Sequence, residues 1–349
     1  MKNINTDTID FVLPWVDPSD TQWQKERDKY DTRFNVEDRG NPTRFRDTKT
    51  LKYVLRSIEA HCPWYNKIYL ITIGHYPDWI DITHPKIELV THEDLFVDKS
   101  ALPVFNSNAI EMNLVNIRGL SEQFVYLNDD MIIWDCLEKT RFFKEGLPVD
   151  FFYHGWFPRN SLIKKLITKD LWIDALNNNL ALINKSFKKP SLNSNCYYHD
   201  SYALKYKMSN FLYLNVYKKV FWFAHWHHPQ PYRKKTLYDV FEHYEEEMIE
   251  TSHHKFRSAK DLTPYLYRYW HLMKGEFVPF DHKDGYMANL KSLKGLLKDV
   301  AKLKQDKTIK FVCFNDQMHG ISDQEFTEVV VFLEKYLEER FPKKADFEL

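Results

Sequence analysis

Glycine is scarce here, with nine positions in 349 residues, and no two of them stand two residues apart. That excludes the G-x-G-x-x-G turn of a dinucleotide fold, and no G-x-x-x-x-G-K-S/T phosphate loop occurs either. A nucleotide would have to be held by metal, side chains or helix N-termini. Cysteine is equally thin. Cys62, Cys136, Cys196 and Cys313 lie far apart, without the paired spacing of a zinc ribbon, a thioredoxin-type site or a disulfide framework. Reduced thiols in a cytoplasm are the simplest reading. Neither charge is in excess: Lys plus Arg equals Asp plus Glu at 49 each, which removes the basic footprint of a dedicated nucleic-acid binder. The chain does not start with a basic segment followed by an apolar run, and no stretch approaches the roughly 18 to 20 apolar residues that span a bilayer. The expectation is a cytoplasmic protein without a transmembrane segment.

What is present is globular: 44% apolar and 28% charged residues, at a length that suggests about two domains. Short apolar runs at 9–16, 68–73, 87–90 and 124–127 read as strands. Between them, Leu51, Val54, Leu55 and Ile58 fall on one helical face, with Pro63 as a stop. Ser107 is placed to cap a helix carrying Ile110, Leu114 and Ile117. This alternation predicts an α/β fold with a mainly parallel, Rossmann-like sheet flanked by helices. Residues 1–135 are expected to form the N-terminal part of a catalytic core. Residues 136–224 would form a variable, lysine-rich, largely helical insert, since 160–220 holds ten Lys and no Arg. Residues 225–349 would return to the core through helices at 236–250, 259–274 and 286–304. A last strand at 309–314 and a helix at about 323–340, opened by Ser322 and Glu325 at capping-box spacing, are expected to rejoin the N-terminal sheet.

Asp17, the pair Asp129/Asp130 and Asp316 each follow an apolar strand, where open α/β sheets bind ligands. If folding gathers them, their repulsion calls for a divalent cation, Mg2+ or Mn2+, among Asp17, Asp129 or Asp130, and Asp316, with the choice between Asp129 and Asp130 as metal ligand or base left open. The bland reading is that each is a turn residue, and Asn128-Asp129-Asp130 could also be a hairpin tip. Phe105-Asn106-Ser107-Asn108-Ala109-Ile110-Glu111 places Ser107, Asn108 and Glu111 at a helix start that suits a phosphate. In Phe221-Trp222-Phe223-Ala224-His225-Trp226-His227-His228-Pro229, extended backbone would put His225 and His227 on one face, as metal ligands or phosphate contacts. Arg257 offers a planar fork for phosphate oxygens. The lysines at 164, 165, 169, 185, 188, 189, 205, 207, 218 and 219 could face an anionic acceptor or a membrane, although a solvated face is the plainer account.

The order of these motifs resembles the Stealth family of sugar-phosphate transferases. The block from Ile9 through Pro14-Trp15-Val16-Asp17-Pro18-Ser19-Asp20 is similar to its first region. Arg44-Phe45-Arg46-Asp47, the 102–111 segment and Tyr126-Leu127-Asn128-Asp129-Asp130 are similar to its second. His225 to Pro229 with His253-His254-Lys255-Phe256-Arg257 resemble the third, and Cys313-Phe314-Asn315-Asp316 the fourth. Leu13-Pro14 and Pro18 depart from the Tyr-Thr and Gly more usual in the family, and the compact length is closer to its bacterial branch.

The resemblance implies transfer of hexose-1-phosphate, N-acetylhexosamine-1-phosphate first, from a UDP-sugar to a glycan hydroxyl. A phosphodiester forms and UMP leaves, in capsular or cell-surface polysaccharide synthesis. Asp129, Asp130, His227 and Arg257 are the catalytic candidates. Asp17, Arg46, Ser107, Asn108, Glu111, Asn128, His225, His228 and Asn315 are the substrate contacts. The partners expected are the UDP-sugar, an oligosaccharide or polysaccharide acceptor and no nucleic acid. Peripheral contact with the inner face of the membrane or with capsule assembly machinery, and a homo-oligomer, stay open. Two rivals remain: a metal-dependent glycosyltransferase, which would release UDP, and a non-catalytic sugar-binding subunit.

Overall fold

The structure is a computed structural model and describes residues 8–31, 46–156, 171–189, 192–217 and 219–349. Arg44, Phe45, Lys164, Lys165, Lys169 and Lys218 lie outside the described residues. The first half runs β1 (Ile9–Pro14), α1 (Thr21–Asp31), α2 (Leu51–His61), β2 (Ile68–Thr72), β3 (Ile87–Thr91), α3 (His92–Leu95), α4 (Ser107–Glu111), β4 (Gln123–Tyr126), β5 (Met131–Ile133), β6 (Phe143–Lys144) and β7 (Leu147–Asp150). Three helices follow, α5 (Leu171–Ser186), α6 (Ser194–Tyr198) and α7 (Leu204–Asn215). The remainder is β8 (Gln230–Arg233), α8 (Lys234–Ser252), α9 (Tyr265–Lys274), β9 (Val278–Pro279), β10 (Gly285–Leu290), α10 (Leu293–Gln305), β11 (Phe311–Asp316) and α11 (Asp323–Arg340).

The main sheet has the order β3-β2-β1-β4-β8. Its first four strands are parallel, and β8 runs antiparallel along β4. Helices cover both faces, so β1 is apolar at consecutive positions rather than alternating ones. Phe11 and Leu13 enter one core with Val54 and Ile58 of α2, while Val12 enters a second core with Phe124, Tyr126 and Tyr232. Under this sheet Asp10 is fully buried and satisfied. It accepts from Asn66 Nδ2 at 2.8 Å and from the backbone of Lys67 at 3.1 Å and Ser121 at 2.7 Å, which ties the starts of three neighbouring strands together.

Four local expectations change. β5 does not fold back on β4; it pairs antiparallel with β11 in a second sheet of order β10-β11-β5. Asn128-Asp129-Asp130 is therefore a crossing between two sheets and not a hairpin tip. For the same reason β11 joins β5 instead of entering the five-stranded sheet, although Phe311, Val312 and Phe314 share a core with α2. The 286–304 segment is two elements. Its first part buries only every second residue, Ala288 and Leu290, as a strand does, and Ser292 then caps α10 by accepting from Gly295 N at 3.2 Å. The capping residue of α4 is Asn106, whose Oδ1 accepts from Asn108 N at 3.1 Å, and not Ser107. That helix is also short. Asn113 Nδ2 takes the Ala109 carbonyl at 2.8 Å, the acceptor its own N–H would use in a continuing helix. The capping box at Ser322 and Glu325 is present as expected.

Candidate active site

Strand ends deliver the acidic residues to one place. Just beyond β1, Asp17 Oδ1 is held by Ser19 N at 2.8 Å and Ser19 Oγ at 2.6 Å. The Asp17 N–H donates to His75 Nε2 at 2.8 Å, so the His75 proton sits on Nδ1 and is donated to Asp20 at 3.0 Å. This clamp fixes the first acidic loop, and the His75 bond holds Asp20 below the usual carboxylate range. Asp47 is raised by burial and then by the charge of Asp17. Asp129 is pushed up to about 8 by burial, then by the charges of Asp130 and Asp47. Asp17, Asp47, Asp129 and Asp130 thus form a connected run of like charges, and among the described residues no cation is paired to Asp129.

Asp130 is anchored from one side only. Its carbonyl accepts from Phe314 N at 3.0 Å, and Oδ2 accepts from the Cys313 thiol at 3.2 Å. Its other oxygen, Oδ1, is buried and has no hydrogen-bond partner among the described residues. Desolvation, and then the negative neighbour Asp130, push the Cys313 thiol well above its ordinary range. His227 completes the group: ligand atoms of Asp130, His227 and Cys313 all lie within 4.8 Å of one another.

A second arm approaches through β4. Glu111 is pushed up to about 7 by burial, against the lowering effects of a 2.5 Å hydrogen bond from Tyr126 and of the Arg257 charge. Burial, then the Glu111 charge and last that of Asp129 push the Tyr126 hydroxyl well above its ordinary range, which links Glu111 electrostatically to the acidic run. Arg257 Nη2 donates to Ser107 Oγ at 2.9 Å. Ser107, Glu111 and Arg257 are therefore brought together from separate parts of the sequence.

Other expected site residues are occupied elsewhere. Both oxygens of Asp316 are taken by Arg46, at 2.9 to 3.2 Å, and Oδ1 also accepts from Met318 N at 2.8 Å. Asp316 is consequently not an open cation ligand, and Arg46 is not free for substrate. A guanidinium beside a carboxylate forms the closer pair, which strand position alone cannot reveal. Asn315 bonds Asn289 across β10 and β11 at 3.2 Å. The Asn108 amide is committed to buried Asp261 at 3.0 Å, the same carboxylate that binds Asn106 and His254. His228 points away from His227: its Nδ1 contacts the Pro229 carbonyl at 2.8 Å, and burial lowers it to about 4. The His225 ring packs on Tyr265 at 4.3 Å. Asn128 contributes its carbonyl, which accepts from Met131 N at 3.1 Å and closes the turn.

Sequence reasoning passed over Asp47, Tyr126 and Cys313 as site residues. All three stand inside the motif blocks, which was the available signal; Cys313 in particular reads as a buried strand residue.

Four separate segments match the Stealth protein conserved regions: residues 7–34 region 1, 44–149 region 2, 226–274 region 3 and 301–349 region 4. A capsular polysaccharide phosphotransferase WcwK of Streptococcus pneumoniae is 34% identical over 99% of both chains. The chain belongs to the Stealth family. Another relative of this Stealth protein is the exopolysaccharide phosphotransferase cps2G of Lactiplantibacillus plantarum, 32% identical over 97% of this chain and 96% of that one. The receptor polysaccharide phosphotransferase WefC of Streptococcus gordonii is 32% identical over 98% and 99%. The Stealth chain is thus an enzyme, a sugar-phosphate transferase. Among solved structures, the galactosyltransferase LgtC with donor and acceptor sugar analogues covers 93% of the Stealth chain and 95% of its own, at 11% identity and a TM-score of 0.38, too loose a likeness to carry an argument. No helix among the described residues of the Stealth protein is long and apolar enough to cross a membrane.

Proposed function

We propose that this enzyme transfers a hexose-1-phosphate, first an N-acetylhexosamine-1-phosphate, from a UDP-sugar to a glycan hydroxyl in capsular or cell-surface polysaccharide synthesis at the cytoplasmic side. The buried, unpartnered Oδ1 of Asp130 carries this reading. A carboxylate oxygen left without a donor, beside a neighbour whose ionisation is suppressed up to about 8, suits a cation that arrives with its ligand. Asp130 would hold the ion through Oδ1, with Asp17 and Asp47 adding negative potential; the carboxylate oxygen suits Mg2+ or Mn2+, and the other ligand atoms grouped with Asp130 are the His227 imidazole and the Cys313 thiol. When bound, such an ion neutralises charge on the diphosphate.

The remaining steps belong to side chains. Asp129 takes the proton of the acceptor hydroxyl, since a carboxylate poised near neutrality is a matched general base. The hydroxyl oxygen bonds to the β-phosphorus and the bond from that phosphorus to the bridging oxygen breaks, so UMP leaves with the electron pair. His227 and Arg257 stabilise charge on the phosphoryl oxygens. Ser107 and Glu111 orient the substrates, Ser107 through its bond to Arg257. The sugar's anomeric C–O bond stays intact, so its configuration is retained. In this reading 1–135 and 225–349 supply the catalytic machinery and 136–224 is the insert.

The test is the by-product. Purified protein with UDP-N-acetylhexosamines, Mg2+ and short glycan acceptors should release UMP and yield a phosphodiester, and chelation should stop both. UDP release would assign a glycosyltransferase instead.

A further inference from the structure

Helix α7 is apolar on two sides: inward, Tyr206 stacks on Tyr153 at 3.7 Å and Tyr213 is buried, while a second apolar set is exposed. It buries its polar residues: Ser209 Oγ bonds the His154 carbonyl at 2.5 Å, and Asn210 Nδ2 bonds the carbonyls of Phe152 at 2.6 Å and Tyr197 at 2.8 Å. The second apolar set faces outward. Leu204 is 73% exposed, Met208 50%, Phe211 55% and Val216, just past the end, 61%. Positions 204, 208 and 211 share one side of a helix, so this is a continuous stripe and not scattered surface residues.

Cationic residues border it. Lys205 and Lys207 lie on the two sides of the stripe at helical spacing. Lys207 pairs loosely with Asp200 at 3.7 Å. Exposed Lys188 and Lys189 lie beyond the C-terminal end, where Lys189 Nζ bonds the Leu214 carbonyl, and Lys219 follows in the chain. Among the described residues of 171–219 the acids are Asp174 and Asp200. Trp156 is 39% exposed, and its carbonyl accepts from Tyr217 Oη at 3.3 Å, which sets an indole beside the same end. An outward apolar stripe with flanking lysines and an edge tryptophan is the pattern of a helix lying in a bilayer interface.

We infer that α7, with Trp156 and the adjoining lysines, docks the enzyme on an anionic lipid bilayer with the helix axis parallel to the membrane plane. A protein partner would be matched by the apolar stripe alone, whereas the lysine border matches a negatively charged surface. The inference does not depend on which nucleotide sugar is used.

Flotation of the full chain with phosphatidylcholine vesicles, with and without about a third phosphatidylglycerol, tests it. Binding should be at least about tenfold stronger to the anionic vesicles and should weaken in high salt. The double variant Met208→Glu/Phe211→Glu should lose binding by about tenfold or more, as expected when buried apolar area is replaced by like charge. Replacing Lys188, Lys189 and Lys205 with Gln should abolish the preference for anionic lipid. Both variants change exposed residues away from the site, so turnover on a soluble acceptor should match the parent. If the double variant fails to fold, Leu204→Glu alone should still reduce flotation. Equal binding to both vesicle types, or none, would overturn the inference. So would concentration-dependent self-association in sedimentation velocity that the double variant removes while vesicle binding is absent, since the stripe would then join two copies.

Discussion

Two carboxylate clusters sit inside this molecule, and they are built on opposite principles. Asp150, at the end of β7, is buried with every need met. Arg268 donates to both its oxygens at 2.7 and 2.8 Å, His271 Nε2 donates at 2.8 Å and the Phe151 N–H at 2.7 Å. Burial pushes Asp150 up, but the Arg268 charge and the His271 bond outweigh it, and its pKa ends well below the carboxylate range. Asp129 and Asp130 also sit among protein atoms, but burial and mutual repulsion go unanswered, so Asp129 rises to about 8 and one oxygen of Asp130 stays unpaired. A buried charge with complete partners fastens β7 to α9. A buried charge without such partners among the described residues is what a ligand site, rather than a structural one, is expected to show.

Substitution separates the two. Asp130→Asn should lower turnover by about a thousandfold or more, with thermal stability unchanged or raised, because it removes repulsion from Asp129. Steady-state UMP release and a melting curve read the two halves of that statement, and wild-type turnover would take Asp130 out of the chemistry. Asp150→Asn should do the reverse. It leaves Arg268 buried and under-compensated, at a cost of about 3–5 kcal/mol in denaturant unfolding, while any protein that folds keeps its substrate affinity. Arg257→Ala comes next, with turnover reduced on the order of tenfold or more through loss of a charged phosphate contact; unchanged kinetics would leave it a support for Ser107 only.

The smallest effect is one of sign with pH. A carboxylate with a raised folded pKa gives stability that is complete below about pH 4 and is lost as pH climbs through about 8. Asp150, held low, gives stability that is present above the ordinary carboxylate range and lost only on acidification. In metal-free buffer, melting temperatures from pH 4 to 8 should therefore fall more steeply in the parent than in Asp129→Asn. A parallel pair of curves would show that Asp129 is not protonated in the folded state. Excess Mg2+ should flatten the parent curve.

Much of the frame was legible from residue order. The runs at 11–13, 68–71 and 124–126 are apolar without alternation because both sheet faces are covered, and Ser322 and Glu325 announce α11. The failures share a cause. Asp316 follows an apolar strand just as Asp17 does, yet Arg46, distant in sequence, occupies it. The turn at Asn128-Asp129-Asp130 has hairpin composition, yet β5 finds a better partner in β11. α7 has nearly the same apolar content on both sides, so its pattern could not say which side is hidden.

The order of residues by itself determined an α/β enzyme of the Stealth family with acidic residues at strand ends, because periodicity and motif order are local properties of the chain. Only the tertiary structure decided which of those acids remain unpaired, since pairing depends on cations and amides brought from distant segments. It also decided which face of α7 meets the outside, because His154, Phe152 and Tyr197 present backbone carbonyls that Ser209 and Asn210 satisfy.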